Sequence, residues 1–208
     1  TLLGGNYTAK EGIKVFIGER GDKAVRKYNK FIPKQKEGYF LRIQPKEIVL
    51  AGNDEQGTFY ALQTLEQLLK DNQLPVADIT DYPEITFRGV VEGFYGAPWS
   101  HEARLRHLKF YGQNKMNTYI YGPKDDPYHS SPNWRLPYPE QEAKQIKELV
   151  QIAKENAVNF VWAIHPGKDI KWNQEDRDNL LGKFQKMYEL GVRSFAVFFD
   201  DISGEGTN

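Results

Sequence analysis

The stretch SFAVFFDDISGEG, residues 194 to 206, is an apolar run that ends in two adjacent aspartates, Asp200 and Asp201. The residues from Phe195 to Phe199 have the aromatic and β-branched composition of a buried strand. Adjacent carboxylates repel each other, and each loses hydration where the chain leaves a core. A chain with two acids at this point either uses them chemically or exposes them to solvent.

Three further strand-like segments precede this one, and a helical segment follows each of them. Ser100 and Asn173 are suitable N-caps for the first and third helices. The order of strand and helix predicts a parallel sheet. The strands are predicted at residues 85–96, 116–122, 158–167 and 194–201, and the helices at 100–114, 139–157 and 173–191, the last with Leu180, Phe184, Met187 and Tyr188 facing inward.

Two architectures have this order, a doubly wound sheet and a (β/α)8 barrel. A nucleotide-binding doubly wound sheet has a glycine-rich turn after its first strand, whereas EGFYGAPWS (92–100) is aromatic and carries no such motif. We therefore predict that residues 81–208 form the first half of a (β/α)8 TIM barrel, with the second half missing from this sequence. Residues at the carboxyl ends of all four strands support a barrel rim, namely Glu92, Gly93, Lys124, Asp125, His165, Asp200 and Asp201.

Residues 1–80 are predicted to form a separate, small N-terminal α/β domain. The segment 13–19 alternates as a half-buried strand does, and Pro45 with Lys46 makes a turn between two further strands. A helix is expected to begin at a cap formed by Asn53 or Asp54. The remaining expectations are strands at 38–44 and 47–52, an apolar helix face of Phe59, Leu62, Leu65, Leu68 and Leu69, and a polar connection without a strand at 72–84.

The composition excludes several classes of function. Lys plus Arg number 28 and Asp plus Glu number 28, so no basic field attracts nucleic acid. No apolar run reaches the roughly 20 residues of a membrane span. The chain contains no cysteine, which excludes disulfides, thiolate metal sites and a cysteine nucleophile.

The spacing of the paired aspartates limits their chemistry. Their Cα atoms are only about 3.8 Å apart, so both carboxylates approach a ligand from the same side. An ordinary retaining or inverting glycosidase needs two carboxyls on opposite sides of the sugar. Neighbouring acids can instead divide the work if one stays protonated as a general acid while the other orients a nucleophile carried by the substrate, such as a 2-acetamido oxygen.

Other interpretations of these residues stay open at this point. Asp200 and Asp201 can be a solvated strand end, or metal ligands together with Ser203 and Glu205. Gly93 can be a tight turn or a close approach of backbone to ligand. Lys124 can be a solvated loop lysine or a site residue, and His165 is either a base or, more commonly for such a residue, part of the core.

Three motifs together resemble the glycoside hydrolase family 84 enzymes, which are bacterial O-GlcNAcases and hyaluronidase-like β-N-acetylglucosaminidases. The motifs are FRGVVEGFYGAPWS (87–100), NTYIYGPKDDPYH (117–129) and FAVFFDDISGEG (195–206), at three successive strand ends. The resemblance spans residues 85 to 206, and the preceding α/β region is similar to the small N-terminal domain of the family.

The resemblance implies a role for four residues. Asp200 would hold and polarise the acetamido group of a terminal N-acetylglucosamine, and Asp201 would be the general acid and then the base. Gly93 and Lys124 would bind sugar hydroxyls. The family's other sugar-binding residues lie on later barrel strands, beyond Asn208, so the isolated chain is expected to be incomplete.

Further expectations concern cofactors, partners and location. We expect no cofactor and no metal, a glycan or glycoprotein substrate that contains N-acetylglucosamine, and no nucleic-acid or membrane partner. An exported bacterial protein, periplasmic or secreted, is expected, with the cytoplasm as the alternative. Two functions of other classes are a sugar-binding module without turnover and a metal-dependent phosphohydrolase that uses Asp200 and Asp201 as ligands.

Overall fold

The structure, a computed structural model, describes residues 12 to 202 of the chain. The chain divides into two compact units between Thr86 and Phe87. The boundary predicted from the sequence lies between residues 80 and 81.

The first unit is a four-stranded mixed sheet with one helix. Strand β1 (Lys14–Glu19) is parallel to β3 (Glu47–Gly52), while β2 (Tyr39–Gln44) is antiparallel to both β3 and β4 (Ala77–Asp81). The strand order is β1-β3-β2-β4. Helix α1 (Glu55–Leu68) begins at Asp54, whose side chain accepts the N–H of Gly57, and a short 3₁₀ turn covers Arg26–Tyr28. The predicted strands at 13–19, 38–44 and 47–52 and the helix after them are confirmed.

Strand β4 corrects the prediction of an irregular connection at residues 72–84. It lies at the sheet edge beside β2, and Arg42 of β2 forms an ion pair with Asp78 of β4. Edge strands carry charged residues because one side remains in solvent. The polar sequence ADITD (77–81) therefore resembles a loop in composition although it forms a strand.

The buried face of α1 also differs from the predicted leucine-rich face. Tyr60, Ala61 and Thr64 are buried, whereas Leu62 and Leu69 are exposed. The reason is the close approach at Gly57, where an added Cβ would lie 2.2 Å from the carbonyl oxygen of Gly38. Only a glycine allows this contact, and it turns the face that contains Gly57 toward the sheet.

The alternating apolar residues of β1 also differ from the prediction, because some of them are exposed. Val15 and Ile17 lie in register with Ile48 and Leu50 of β3, and both are exposed at the edge of the sheet. Phe16, on the opposite face, packs against the buried cluster that contains Tyr28 and Phe40. An edge strand with apolar residues on both faces gives an alternation that does not identify the buried side.

The second unit alternates strand and helix and has a fully parallel sheet. The strands pair in chain order, β5-β6-β7-β8, and each pairing is parallel. The predicted alternation and the parallel sheet are confirmed. The elements are β5 (Gly89–Glu92), α2 (His101–Gln113), β6 (Thr118–Tyr121), α3 (Glu140–Glu155), β7 (Asn159–Ile164), α4 (Gln174–Glu189) and β8 (Ser194–Val197).

The helices of this unit begin and pack largely as predicted. Ser100 accepts the N–H of Ala103 at the start of α2, and Asn173 accepts the N–H of Asp176 at the start of α4. A core cluster unites Ile146 of α3, Trp162 of β7 and Met187 of α4 with other buried side chains. Tyr188 was expected to face inward but is exposed.

Strand β8 is shorter than the predicted segment 194–201. It ends at Val197, and Phe198 to Asp201 leave the sheet. Asp201 has a φ of 54°, in the left-handed region that asparagine and aspartate tolerate better than most residues. Within residues 12–202, none of the helices has the length and hydropathy that a membrane span requires.

Candidate active site

The carboxyl ends of β5 to β8 lie at one edge of the parallel sheet, and backbone hydrogen bonds beyond the strands hold their loops together. The N–H of Gly122 donates to the carbonyl of Glu92 at 3.1 Å, and the N–H of Lys124 donates to the carbonyl of Phe94 at 3.3 Å. The N–H of Phe198 donates to the carbonyl of Ile164 at 2.7 Å. The loops after β5 and β6, and the segments after β7 and β8, are thus joined pairwise.

Asp200 lies at this edge with a lysine and a histidine as partners. The ammonium of Lys124 donates to Oδ2 of Asp200. Nε2 of His165 lies 2.7 Å from the Asp200 carbonyl and 3.5 Å from its Oδ1. Since a carbonyl oxygen only accepts, Nε2 of His165 carries the proton. The hydrogen bond from Lys124 lowers the pKa of the Asp200 carboxyl below its ordinary value, so Asp200 is ionised at neutral pH.

Asp201 has a different partner, which lies on the loop after β5. The hydroxyl of Tyr95 donates to Oδ2 of Asp201 at 2.9 Å. This hydrogen bond raises the pKa of the Tyr95 hydroxyl, which therefore remains a donor. Both aspartates are exposed, so their carboxylates are accessible from solvent. The two neighbouring acids consequently differ in environment, as a division of labour requires.

Lys124 is an unusual lysine because its side chain is only 3% exposed while that of its partner Asp200 is 56% exposed. Its ammonium lies over the rings of Tyr95 and Phe198, 5.9 and 5.6 Å from the centroids. A lysine that is merely solvated does not bury its ammonium. Lys124 is therefore fixed in the site, between the two aromatic rings and the carboxylate.

Gly93 lies between the two residues whose carbonyls join β5 to β6, namely Glu92 and Phe94. An added Cβ on Gly93 would meet only Val91 Cγ1, at 3.2 Å, among the described residues. Its backbone does not require the left-handed conformation that Gly96 adopts, with a φ of 97°. Packing among the described residues thus leaves room for a small side chain at Gly93 once Val91 shifts by a few tenths of an ångström.

Glu92, expected at the accessible rim, is completely buried. Its carboxylate accepts two hydrogen bonds from Arg104 of α2, at 2.8 and 2.7 Å, and further ones from the Tyr119 hydroxyl and the Trp99 N–H. A buried carboxylate is retained only when it is paired and hydrogen-bonded. Glu92 therefore fixes α2 against the sheet and does not face a ligand.

His165 is also completely buried. The sequence left open whether it is a base or a core residue, and the structure shows a histidine whose Nε2–H binds the backbone of Asp200. Its neighbour His129 holds the Ala163 carbonyl through Nδ1 at 2.6 Å. Burial lowers the pKa of His129 to about 4, so His129 is neutral.

Metal-binding geometry is absent from the described part of the site. Residues 12–202 contain no group of three or more histidine, aspartate or glutamate side chains arranged to hold an ion. Ser203 and Glu205, which were considered as ligands with Asp200 and Asp201, lie outside the described residues. The cationic group that contacts the Asp200 carboxylate in the described residues is the Lys124 ammonium, beside the His165 ring.

Two residues of the site were missed by the sequence analysis. Tyr95 binds Asp201, and Asp126 accepts four hydrogen bonds in the loop that carries Lys124. Tyr95 lies inside the aromatic motif 92–100 that the sequence analysis singled out, but no pattern distinguishes it from Phe94 or Trp99. Asp126 follows an exposed aspartate, and only tertiary contacts separate their roles.

The chain is similar to known families along most of its length. Residues 88–208 match the family model of beta-N-acetylglucosaminidase, and residues 3–82 match that of glycosyl hydrolase family 20, domain 2. The Protein O-GlcNAcase sequences of Rattus norvegicus and Mus musculus are each 43% identical to this chain over 115 residues, 55% of this chain and 12% of each relative.

Solved structures give a consistent result. The structure of CpGH84B superposes with a TM-score of 0.77 at 50% identity, over 81% of this chain and 31% of that chain. CpGH84D superposes with a TM-score of 0.79 at 32% identity, over 97% of this chain and 36% of that chain. The chain therefore spans about a third of these solved relatives and about an eighth of the curated ones.

These matches confirm the resemblance to glycoside hydrolase family 84. They also cover the residues that carry the site, because Gly93, Lys124, Asp200 and Asp201 all lie within the matched segment 88–208. The family model matches more than half of the sequence, and the chain accordingly belongs to the beta-N-acetylglucosaminidase family.

Proposed function

We propose that the protein containing this chain is a retaining glycoside hydrolase that removes terminal β-linked N-acetylglucosamine of the O-GlcNAc type. Family membership and the O-GlcNAcase relatives support the substrate class. The observation that carries the mechanism is the pair of adjacent aspartates with different partners, Asp200 with Lys124 and Asp201 with Tyr95. The substrate is a glycan or a glycoprotein.

The two carboxylates act on different parts of the sugar. Asp200, ionised because Lys124 lowers its pKa, accepts the N–H of the 2-acetamido group and increases the electron density on the acetamido oxygen. Asp201 protonates the glycosidic oxygen. Because the two residues are consecutive, they cannot lie on opposite sides of one sugar ring, and the nucleophile must come from the substrate.

The reaction then proceeds in two inversions. The acetamido oxygen forms a bond to the anomeric carbon as the glycosidic bond breaks, and the leaving oxygen takes the proton of Asp201. The N–H proton passes to Asp200 as the neutral oxazoline forms. Water then gives a proton to Asp201 as its oxygen bonds to the anomeric carbon, the bond between that carbon and the acetamido oxygen breaks, and Asp200 returns the proton to the nitrogen. Two inversions give net retention of configuration.

Gly93 and Lys124 bind the sugar in this proposal. Lys124 already donates to Asp200 and has two further N–H bonds for a sugar hydroxyl, while the backbone of Gly93 is open to a hydroxyl. We also propose that the parallel sheet β5 to β8 is the first half of a (β/α)8 barrel whose later strands supply the remaining sugar contacts. We also propose an exported location, periplasmic or secreted, with the cytoplasm as the alternative.

The proposal is tested by substituting each aspartate in the longest form of the protein that contains this sequence. Asp200→Asn should slow hydrolysis of every aryl N-acetylglucosaminide, whatever the leaving group, because each needs the oriented acetamide. Asp201→Asn should cost about 10²–10⁴-fold with a poor leaving group, where protonation matters. A good phenol should largely escape this loss in the first step, and oxazoline opening should then limit turnover.

Controls separate this mechanism from the other functions. Replacing the hydrogens of the acetamide methyl group by fluorine should slow turnover progressively, because fluorine withdraws electrons from the nucleophile. A product of inverted configuration, or a rate independent of fluorination, would contradict the mechanism. Loss of turnover in excess EDTA would favour the phosphohydrolase-type metal site, and sugar binding by the wild-type protein without turnover would favour a binding module.

A further inference from the structure

The segment between β6 and α3, residues 122–139, is long and contains neither helix nor strand. It contains Lys124, which binds Asp200, near its start, and it ends at Pro139, the N-cap of α3. A loop of this length has many conformations, and ordering it costs conformational entropy. Something must hold it if the Lys124 ammonium is to meet a carboxylate on another loop.

Asp126 makes several of the contacts that hold this segment, and others include the hydrogen bond from the His165 N–H to the His129 carbonyl at 2.8 Å. Its Oδ1 accepts the N–H groups of Tyr128 and His129, at 2.8 and 3.2 Å. Its Oδ2 accepts the hydroxyls of Tyr121 and Tyr138, at 2.6 and 2.8 Å. One carboxylate thereby links the last residue of β6, the turn after Asp126 and the end of the loop.

The backbone of Asp126 links the same turn to Lys124. Its N–H donates to the carbonyl of Pro123 at 3.0 Å, and its carbonyl accepts the N–H of Ser130 at 3.1 Å. The hydroxyl of Ser130 lies 3.3 Å from the carbonyls of both Lys124 and Asp126. The backbone on each side of Lys124 is therefore fixed by groups that Asp126 orders.

The carboxylate of Asp126 lies in the interior of the unit, among buried side chains. The residue is 9% exposed, and Tyr121 and Tyr138 beside it are largely buried. Leaving a buried donor without its acceptor is costly, so four hydrogen bonds to one charged group represent a substantial part of the order of this loop. Asp125, by contrast, is exposed.

We propose that Asp126 is a positioning residue for the site, whose carboxylate orders the loop after β6 so that the Lys124 ammonium meets Asp200. The proposal deepens the proposed function, on which it rests for the meaning of Lys124 in sugar binding. Asp126 does not touch the sugar. It acts through the backbone on either side of Lys124.

The first test does not depend on activity. In the longest form of the protein, the amine of Lys124 is labelled with acetic anhydride and the rate is measured by mass spectrometry. Lys124 is protected in the wild type because its side chain is buried and paired. Asp126→Asn should increase the labelling rate about tenfold or more, as expected for the loss of hydrogen bonds to a charged group.

Two control variants make this result specific. Asp125→Asn removes the same charge from the neighbouring, exposed position and should leave the labelling of Lys124 near the wild-type rate. Leu149→Ala weakens the core under α3 without removing any hydrogen bond of Asp126 and should also leave Lys124 protected. Equal labelling rates in Asp126→Asn and Leu149→Ala would mean that the protein is loosened in general and would overturn the proposal.

If Asp126→Asn does not fold, a second variant replaces it. Tyr138→Phe removes one of the four hydrogen bonds and should give a smaller increase in the labelling rate of Lys124.

The second test compares kinetics on an aryl N-acetylglucosaminide. Lys124→Met should lower kcat/KM, and Asp126→Asn should alter kcat and KM in the same proportion as Lys124→Met does. The double variant should be no worse than Lys124→Met alone, because the lysine through which Asp126 acts is already gone. Additive losses would overturn the role of Asp126. If the wild type has no turnover, the proposed function fails, whereas the labelling result still decides whether Asp126 positions Lys124.

Discussion

Individual residues at the edge of the parallel sheet differ in what the sequence reveals about them. Asp200 and Asp201 are visible as a pair of acids after an apolar run, and Lys124 and Gly93 follow from motif resemblance. The structure adds the ion pair between Lys124 and Asp200 and the hydrogen bond between Tyr95 and Asp201. These contacts form between loops that are distant in sequence and close in space, so no local sequence pattern predicts them.

Gly93 is the residue at which packing and ligand binding can be separated experimentally. Because an added Cβ would meet only Val91 Cγ1, at 3.2 Å, among the described residues, Gly93→Ala should change the free energy of unfolding by less than about 1 kcal/mol. In the proposed function the backbone of Gly93 binds a sugar hydroxyl, and the added methyl group would obstruct that contact. KM for the aryl N-acetylglucosaminide should therefore rise about tenfold, the effect of one lost hydrogen bond with a ligand.

Gly122→Ala is the contrasting variant. A Cβ on Gly122 would lie 2.5 Å from Cε2 of Phe198 and 3.1 Å from Cε1 of His129, so this substitution should destabilise the protein by about 1–3 kcal/mol through overpacking. Thermal unfolding and steady-state kinetics measure both effects. A Gly93→Ala variant that binds substrate normally would contradict the binding role, and one as unstable as Gly122→Ala would show that packing explains the glycine.

Among the elements, those with strong periodicity or clear caps are predicted well. The N-caps Ser100 and Asn173 and the alternation of strands with helices in the second unit follow from the sequence because cap chemistry and amphipathic spacing are local. Strand β4 was missed because an edge strand carries polar residues. The buried face of α1 was misjudged because a backbone contact at Gly57, which no periodicity contains, sets its orientation.

Helix α4 contains a polar residue where the sequence predicts only an apolar face. Lys183 is buried, its ammonium donates to the Leu136 carbonyl at 2.5 Å, and it lies over the ring of Tyr138, 4.4 Å from the centroid. Burial lowers the pKa of Lys183 to about 8. The aliphatic part of a lysine can pack like an apolar residue, which explains its place in the core.

This depressed pKa predicts a pH dependence of stability. An unfolded lysine titrates near 10.5, so between about pH 8 and 10.5 the unfolded chain holds a proton that the folded protein has released. Folding stability contributed by this group therefore rises as pH increases through that window. The free energy of unfolding of the wild type, measured relative to that of Lys183→Met, should rise by up to about 3 kcal/mol between pH 7 and pH 10.5.

Urea unfolding of both proteins at several pH values measures the difference. Gln185→Met, on the same helix, exposed and without a titratable group, is the matched control and should keep a constant difference in the free energy of unfolding from the wild type across the window. Parallel stability curves for the wild type and Lys183→Met would show that Lys183 titrates as a solvated lysine does.

At the scale of the whole molecule, the sequence predicts the class of each unit better than its extent. The parallel sheet follows from element order alone, and a small α/β unit before it follows from hairpin and helix signals. Whether the sheet closes into a barrel does not follow from element order, because closure depends on strands that need not be near in sequence. The solved relatives are about three times as long as this chain, and the barrel accordingly remains a proposal.

The two outer strands of the parallel sheet lead to the last prediction. Within residues 12–202, β5 pairs only with β6 and β8 pairs only with β7, and the apolar side chains of Val91 and Val197 on these outer strands are exposed. Unpaired strand edges with apolar side chains favour association between chains. The 208-residue segment produced alone should therefore self-associate, whereas the longest form of the protein should stay dispersed and unfold in a single sharp transition for this unit.

Hydrogen exchange locates the cause of this difference. In the isolated segment, amides of β5 and β8 should exchange much faster than those of β6 and β7, which have neighbours on both sides. In the longest form, all four strands should be protected to a similar degree, because further strands would pair with both outer ones. A monomeric segment with a sharp melt and uniform protection would mean that the four strands are a stable sheet without further strands, and the half-barrel proposal would then lose its physical basis.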